Sequence, residues 1–375
     1  MPLRLAVPKE TWPGEKRVAL VPAIADKFAQ LGVNVLIESG AGASSYFADT
    51  AYETATIVRK ATEISSDSGV ILHVQPPSEN EIKAMKEGTV VVGMMLPFRY
   101  PERIVLMRDR NITSFAMELI PRISRAQSMD ILSSQAAVAG YKAALMAADR
   151  VSGFFPMLTT AAGTIRPAKV LVIGAGVAGL QAIATAKRLG AMVEGYDVRS
   201  ATREQIQSLG AKFIDTGVSA DSAGGYAREL TDEEKQKQQG ILNDHIAAAD
   251  AVITTAAIPG KPSPKIISKD TVKRMKPGAV IIDLAAEGGG NCEATKPGKQ
   301  TMVNKVIIYG PLNVPSELPV HASEMYAKNI LNFLTPMITE GEFTPDWEDE
   351  IVAGSLLTRD GKIVNEASRE QVEAL

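Results

Sequence analysis

Three glycines separate an apolar stretch from an apolar helical pattern near the middle of the chain. Residues 169–173 are typical of a buried strand. The glycines that follow predict a tight turn, close approach of a pyrophosphate to the backbone, and close packing of helix on strand, with the helix N-terminus facing the phosphate charge. We therefore predict a dinucleotide-binding turn. Its contact residues would be Gly174, Gly176, Val177, Ala178 and Gly179.

A carboxylate ends the next predicted strand. The stretch 191–196 runs into Asp197, which lies about 20 residues after the turn, where the ribose-binding acid of such folds is expected. Asp197 would accept hydrogen bonds from the ribose hydroxyls of NAD and repel the 2′-phosphate of NADP. Arg199 follows and could instead pair with that phosphate, but the carboxylate is the stronger discriminator. We predict NAD as the cofactor, with Val198 as a further contact.

The composition argues against several classes of protein. With 40 basic and 43 acidic residues in 375, the chain lacks the basic excess that nucleic-acid binding usually needs. Cys292 is the only cysteine, so no intrachain disulfide is possible, and a small buried apolar role is favoured over that of a nucleophile. The longest apolar run, 170–186, is interrupted by the glycine turn, and no signal peptide is recognisable. We expect a cytoplasmic protein without membrane insertion or a metal site.

Apolar runs alternate with helical patterns, which predicts parallel sheets covered by helices on both faces. We predict an α/β protein of two doubly wound, Rossmann-like domains, comprising residues 1–132 with 330–375, and 133–329. Long helices at 128–152 and 321–334 would link the domains, and two crossings between them imply a cleft. The predicted strands are 3–7, 33–37, 69–74, 89–94, 112–116, 169–173, 191–196, 212–214, 250–254, 279–282 and 306–309, and helices are predicted at 22–31, 79–86 and 101–109.

Two further segments carry predictions. Residues 216–239 form an insertion whose charged second half is expected to be a solvated helix. Its 222–226 segment is typical of a mobile loop that carries an aromatic residue. In the tail, 350–357 and 363–364 are predicted to be the arms of a hairpin that turns at Asp360-Gly361.

Several runs resemble one known superfamily. Pro8-Lys9-Glu10, the stretch 15–22 and the stretch 170–197 resemble signatures of the alanine dehydrogenase and pyridine-nucleotide transhydrogenase superfamily. The run 118–135 is similar, almost letter for letter, to the NAD(H)-binding domain I of proton-translocating transhydrogenases. The similarity spans essentially the whole chain.

This resemblance implies roles for a segment over the bound nicotinamide. Arg122, Gln127 and Asp130 match its family positions and are the predicted catalytic residues. Arg122 would donate to the carboxamide or pyrophosphate, Gln127 would reach toward the second nucleotide, and Asp130 would fix the arginine or accept from a ribose hydroxyl. Ser133 would add a hydrogen bond. The alternative is an ordinary helix cap at Ser128 and Asp130 followed by a solvated turn.

Two other regions of the nucleotide site follow from the same resemblance. Tyr226 matches the aromatic residue of the family's mobile loop, which closes over bound NAD(H). Ala257 and Pro259 follow a predicted strand at its carboxyl end and would be neighbours of the adenine or ribose. The alternatives are a loop anchor for the tyrosine and a strand-ending turn for the other two.

Three functions remain open. Alanine dehydrogenases need acid–base groups, and their Lys-Val-Lys-Glu-Pro and Tyr-Leu-His stretches correspond here to His73-Val-Gln75 and to 94–98, which hold neither that lysine nor that histidine, although Arg17 remains. Hydride transfer between two nicotinamides needs no proton donor. We therefore predict a transhydrogenase component, with an alanine dehydrogenase or a non-catalytic NADH-sensing subunit as alternatives.

The resemblance also implies partners. The chain would form a homodimer, pass a hydride from NADH to NADP on a separate NADP-binding domain or β subunit, and work with a membrane-spanning subunit that couples the reaction to proton translocation. It would then be peripheral to the inner cell membrane through those subunits.

Overall fold

The chain forms two compact units, and the computed structural model describes residues 2–60, 62–64, 69–217, 231–258 and 261–373. Unit 1 comprises residues 1–135 and 316–375, and unit 2 comprises residues 136–315. The domain limits predicted from the sequence, 1–132 with 330–375 and 133–329, remain a prediction. The α/β fold with a parallel sheet in each unit is confirmed.

An eight-stranded sheet is the centre of unit 1. Its strands are β1 (Arg4–Val7), β2 (Asn34–Glu38), β3 (Thr56–Val58), β4 (Val70–Leu72), β5 (Val90–Gly93), β6 (Thr113–Ala116), β18 (Leu356–Arg359) and β19 (Lys362–Ile363), with a separate hairpin of β16 (Ile338–Thr339) and β17 (Glu342–Phe343). The order in the sheet is β19-β18-β6-β5-β4-β1-β2-β3, and β1 to β6 pair in parallel. The five predicted strands are present, whereas β3 and the addition of β18 to the sheet edge were not predicted.

Helices cover both faces of this sheet. Because side chains alternate along a strand, Leu5 packs in one core with Phe28 and Phe333, whereas Ala6 packs in the opposite core with Ile82. The helices of unit 1 are α1 (Pro22–Gln30), α2 (Glu79–Ala84), α3 (Pro101–Asp109), the start of α4 (Ile131–Arg150), α9 (Pro319–Leu334), α10 (Glu350–Ser355) and α11 (Glu366–Glu373).

The tail corrects one prediction. Residues 350–355 form α10 and not the beginning of a strand, because the Asp349 carboxylate accepts hydrogen bonds from the N–H groups of Ile351 and Val352 and so caps a helix. The hairpin itself is confirmed as β18 and β19, turning at Asp360 and Gly361, which both have positive φ.

Seven strands form the sheet of unit 2. They are β9 (Lys169–Ile173), β10 (Met192–Tyr196), β11 (Lys212–Phe213), β12 (Ala251–Thr254), β13 (Val280–Asp283), β14 (Gln300–Val303) and β15 (Val306–Tyr309), and a separate hairpin consists of β7 (Leu158–Thr160) and β8 (Gly163–Ile165). The order is β11-β10-β9-β12-β13-β15-β14. The first six have the order of a dinucleotide-binding fold and are those predicted; β14 adds an antiparallel edge.

The helices of unit 2 also pack on both faces. Val170 and Val172 belong to one core and Leu171 and Ile173 to the other. These helices are the remainder of α4, α5 (Val177–Arg188), α6 (Thr202–Ser208), α7 (Asp232–Ala248) and α8 (Lys269–Arg274).

Two predicted helices need comment. The helix predicted at 128–152 begins later, at Ile131, because Ser124–Met129 forms a 3₁₀ turn ahead of it. The charged half of the insertion is a helix, as predicted: Thr231 and Glu234 form a reciprocal capping box at the start of α7. The loop predicted at 222–226 lies outside the described residues. Within the described ranges, no helix has both the length and the apolar character needed to cross a membrane.

Candidate nucleotide-binding site

Two of the three glycines of the turn have no room for a side chain. Gly174 has φ 95°, and a Cβ there would lie 2.5 Å from Thr255 Oγ1. A Cβ on Gly179 would lie 1.8 Å from the carbonyl oxygen of Gly174. The hydroxyl of Thr255 donates to that same carbonyl at 3.0 Å. The turn after β9 is therefore packed tightly against the end of β12, and only glycine fits at these two positions.

Gly176 has the opposite surroundings. No atom lies within 4 Å of the position that a Cβ would take, and φ is −76°, which any residue adopts. Gly176 is the N-cap of α5, no side chain caps this end, and Val177 behind it is exposed. The first turn of a 12-residue helix thus offers its backbone N–H groups beside open space. This geometry fits the pyrophosphate of a dinucleotide.

Asp197 and Arg199 form a close ion pair at the end of β10. Arg199 Nε lies 2.9 Å from Asp197 Oδ1, and its Nη2 lies 2.8 Å from Oδ2. The N–H groups of Ala175 and Arg199 donate to the same carboxylate at 2.7 and 2.9 Å. Burial would raise the pKa of Asp197, which is 8% exposed, but these hydrogen bonds outweigh it and hold the pKa below its usual value.

This pair changes the expected electrostatics at the ribose position. From the sequence, Asp197 was expected to repel a 2′-phosphate and Arg199 to act as a separate group. In the structure the guanidinium neutralises the carboxylate directly, and Val198 lies half-buried between them in sequence. Asp197 also links the glycine turn to β10 through the N–H of Ala175, so it positions the turn as well as facing the ribose side.

A buried asparagine that sequence reasoning missed holds the segment after β12. Asn291 Nδ2 donates to the carbonyl oxygens of Ala256 and Pro264 at 2.7 and 2.9 Å, and its Oδ1 accepts from the N–H of Ala256 at 3.1 Å. Ala257, predicted to be near the adenine or ribose, is exposed beside this anchor. Pro259 and Tyr226 lie outside the described residues. Asn291 follows Gly288-Gly-Gly290, and that run at a strand end was the available signal.

Asp283 anchors the same edge of the sheet from within. Its carboxylate accepts hydrogen bonds from Thr254 Oγ1, Thr295 Oγ1 and the N–H of Cys292 at 2.9, 2.6 and 3.0 Å. Cys292 is fully buried, as predicted, and burial raises the pKa of its thiol. This residue is therefore involved in packing, and a thiolate is disfavoured there.

The segment matched to the nicotinamide site lies in unit 1. Arg122 and Gln127 are exposed, whereas Asp130 and Ser133 are half-buried. Asp130 accepts hydrogen bonds from the N–H and the hydroxyl of Ser133 at 2.9 and 2.6 Å, which is the geometry of a helix N-cap. The capping alternative is thus realised for Asp130, whose carboxylate orders the start of α4 just behind Gln127. Catalytic roles for these residues remain a prediction.

A buried ion pair lies in the same unit and includes Arg17, which the sequence had singled out. Arg17, 2% exposed, contacts both oxygens of Glu15 at 2.8 and 2.7 Å and donates to Gln135 Oε1 at 2.8 Å. Gln75 Nε2 donates to Glu15 at 2.8 Å. Burial would raise the pKa of Glu15, but the hydrogen bonds and charge of Arg17, together with Gln75, lower it to about 2. The pairing of these groups was not predicted.

Comparison with known protein families gives two matches that together span most of the chain. Residues 6–139 match the model described as "Alanine dehydrogenase/PNT, N-terminal domain", and residues 143–366 match "Alanine dehydrogenase/PNT, C-terminal domain".

Individual relatives show the same similarity. A protein of Rhodospirillum rubrum that is named as an NAD(P) transhydrogenase subunit alpha is 47% identical, covering 97% of this chain and 98% of the relative. A transhydrogenase structure from Sinorhizobium meliloti is 43% identical with a TM-score of 0.86, covering 97% of this chain and 99% of that one. The alanine dehydrogenase of Mycolicibacterium smegmatis is more distant, at 28% identity over 98% of this chain and 96% of the relative.

Proposed function

Since the chain belongs to the alanine dehydrogenase/PNT family, we propose that it is the NAD(H)-binding component of a proton-translocating NAD(P) transhydrogenase. It would transfer a hydride from NADH to NADP held by a separate domain, giving NAD and NADPH. The observation that carries the choice is Gln75, whose amide is hydrogen-bonded to Glu15 where alanine dehydrogenases are expected to have a lysine.

The nucleotide would be bound by the glycine turn and by the ends of β10 and β12. When bound, NADH supplies the hydride. Gly176 leaves space for the pyrophosphate, and the N–H groups at the start of α5 stabilise its charge. The Asp197 carboxylate retains acceptor capacity for a ribose hydroxyl, with Arg199 beside it. Ala257 lies on the exposed surface that an adenine would cover.

The nicotinamide would be positioned by the segment around Gln127. Arg122 and Gln127 are exposed and long enough to hydrogen-bond a carboxamide, and Asp130 with Ser133 fixes the helix that begins behind them. These side chains would orient the ring and would not move a proton. This suits a transfer between two carbon atoms, in which geometry contributes most of the rate enhancement.

Arg17 is poorly placed to bind a keto acid. Its guanidinium is buried and committed to Glu15 and Gln135, so binding a substrate carboxylate would require breaking an ion pair inside the protein. Gln75 beside it carries no proton at neutral pH that could serve a reductive amination. Both observations favour the transhydrogenase over the alanine dehydrogenase.

Assembly belongs to the proposal as well. Relatives are named as the α subunit of an NAD(P) transhydrogenase, and we propose a β subunit or NADP-binding domain and a membrane-spanning subunit as partners. The protein would thus work in the cytoplasm at the inner membrane. We also propose a homodimer, because the hairpin β7–β8 is exposed along both strands and carries exposed Met157, Leu158 and Ile165. An isolated hairpin is only marginally stable.

Reconstitution tests the proposed reaction. The purified chain is mixed with the NADP-binding domain of a transhydrogenase, and NADPH-dependent reduction of an NAD analogue with its own absorbance band is recorded. We expect turnover that needs both proteins. Absence of exchange in the complete mixture contradicts the proposal.

Two parallel assays separate the alternatives. NADH oxidation that depends on pyruvate and ammonia, by this chain alone, would identify an alanine dehydrogenase. NADH binding without turnover in either assay would identify a sensing subunit. Sedimentation of the chain and of Ile165→Glu tests the homodimer, which we expect only for the unmodified chain.

A further inference from the structure

One buried amide on α9 spans the predicted nicotinamide segment. Asn329 Nδ2 donates to the backbone carbonyl of Ser128 at 2.8 Å, and its Oδ1 accepts from Ser134 Oγ at 2.7 Å. Asn329 is only 7% exposed. A single side chain therefore connects the end of the 3₁₀ turn to the first turn of α4. We call this pair of contacts the Asn329 bridge.

The bridge encloses the residues whose positions matter for the proposed chemistry. Gln127 directly precedes Ser128, and Asp130 and Ser133 lie between the two contact points. The hydrogen bonds of Asp130 to Ser133 order this segment internally but do not attach it to the core. Attachment comes from Asn329, because its two arms join the segment to a different helix.

The helix that carries the bridge is itself firmly held. Ile330 and Phe333, the neighbours of Asn329 on α9, are buried in the core of unit 1. One turn earlier, Tyr326 is buried and donates to the carbonyl of His73 at 2.7 Å. Gln135, in the first turn of α4, donates to the carbonyl of Ala322 on α9 at 3.1 Å. The bridge thus acts from a rigid element, as precise positioning requires.

We propose that Asn329 is a positioning residue for hydride transfer: its bridge holds Gln127 and Asp130 at the geometry that the nicotinamide needs. This inference rests on the proposed function. Losing one arm leaves a buried carbonyl or amide without its partner, and the segment between 128 and 134 is then free to shift. Small displacements of groups that orient reactants lower the rate steeply, whereas affinity set by the remaining contacts changes little.

Two variants remove the arms separately. Asn329→Asp keeps an acceptor for Ser134 but loses the donor to the Ser128 carbonyl, and Ser134→Ala removes only the other arm. Asn332→Ala is the matched control, since Asn332 Nδ2 also donates to the Ser128 carbonyl, at 3.1 Å, but the structure gives it no contact with α4. All three are assayed with the NADP-binding domain, and NADH affinity is measured by its fluorescence.

We expect Asn329→Asp and Ser134→Ala to lower kcat about tenfold or more, with the KM for NADH within about twofold. Asn332→Ala should keep both constants within about twofold. In the nucleotide-free chain, hydrogen exchange of the amides at 128–134 should be faster in the two bridge variants only. Should Asn329→Asp fail to fold, Ser134→Ala carries the same comparison.

Two results would overturn the inference. One is unchanged hydrogen exchange at 128–134 in both bridge variants, and the other is a loss of kcat in Asn332→Ala as large as theirs. A failure of the proposed function is recognised separately, because the unmodified chain would then give no exchange with its partner, while hydrogen exchange would still report on the bridge.

Discussion

The carboxylate of Glu118 accepts a 2.6 Å hydrogen bond from the backbone N–H of Leu96. Leu96 has φ 48°, in the left-handed region that side chains other than glycine rarely adopt. Glu118 follows β6 and Leu96 follows β5, which are adjacent parallel strands. The contact therefore holds a strained turn at the carboxyl edge of the unit 1 sheet, within the stretch 94–98 where alanine dehydrogenases are expected to have a histidine.

This contact predicts a pH dependence of stability. Burial raises the pKa of Glu118 from 4.5 to about 7, despite N–H groups that lower it. The native state thus keeps a proton that the unfolded chain has released, so this group's contribution is most favourable below pH 4.5, declines as the pH rises to 7 and is constant above. The full shift corresponds to about 3 kcal/mol, and we expect about half of it because Glu118 is only partly buried.

The variant Glu118→Gln tests this dependence while keeping an oxygen for the Leu96 N–H. Urea unfolding at pH 5 and pH 8 should show a smaller fall in the free energy of unfolding for the variant than for the unmodified chain, by about 1–2 kcal/mol. Parallel pH profiles of the two proteins would contradict the prediction.

Gly176→Ala should separate nucleotide binding from folding. A Cβ at this position meets no protein atom, so the melting temperature should be unchanged, but it would occupy the space assigned to the pyrophosphate. We expect the Kd for NADH to rise at least about tenfold, which corresponds to about 1.4 kcal/mol. Gly179→Ala is the contrasting variant and should destabilise the fold, since its Cβ overlaps the carbonyl of Gly174. Normal NADH affinity in Gly176→Ala would rule out the assigned pyrophosphate position.

The Asp197–Arg199 pair should govern discrimination between NADH and NADPH. Replacing Arg199 with Met leaves an uncompensated carboxylate, so NADPH affinity should fall more than NADH affinity. Replacing Asp197 with Asn leaves an uncompensated guanidinium, so the Kd ratio of NADPH to NADH should fall, by about tenfold. Equilibrium binding of both nucleotides measures the ratio. A ratio that moves in the same direction in both variants would refute this electrostatic account.

Arg122→Ala should affect the reaction more than binding. The residue lies on the exposed segment ahead of α4, away from the glycine turn in sequence, and the proposal gives it the nicotinamide end only. We expect kcat with the NADP-binding domain to fall about tenfold or more and the Kd for NADH to change by less than about threefold. Equal losses in both quantities would indicate a binding role instead.

The sequence predicted the regions of the fold that depend on local patterns. The apolar strand before Gly174 and the spacing to Gly179 follow from short-range packing, and the structure has both in the expected place. Strand propensity failed at Ile351 and Val352, because the Asp349 cap outweighs the preference of β-branched residues for strands. Short edge strands such as β14 carry too little apolar pattern to be recognised.

The features of the candidate site that sequence could not reveal depend on contacts between distant residues. Asn291 and Asn329 have no local signature, since each acts through an amide that meets backbone far away in the chain. The pairing of Arg17 with Gln135 joins residues 118 positions apart. The charge balance at Asp197 could be guessed from its neighbour, but only the geometry reveals that Arg199 binds both carboxylate oxygens.

Cys292, the single thiol of this protein, is fully enclosed. A cysteine introduced on an exposed surface, for example in place of Gln127, would then be the only group that a maleimide dye can reach in the native state. The unaltered molecule thus already provides a silent background for fluorescence or spin-label reporters, without first removing a natural sulfur.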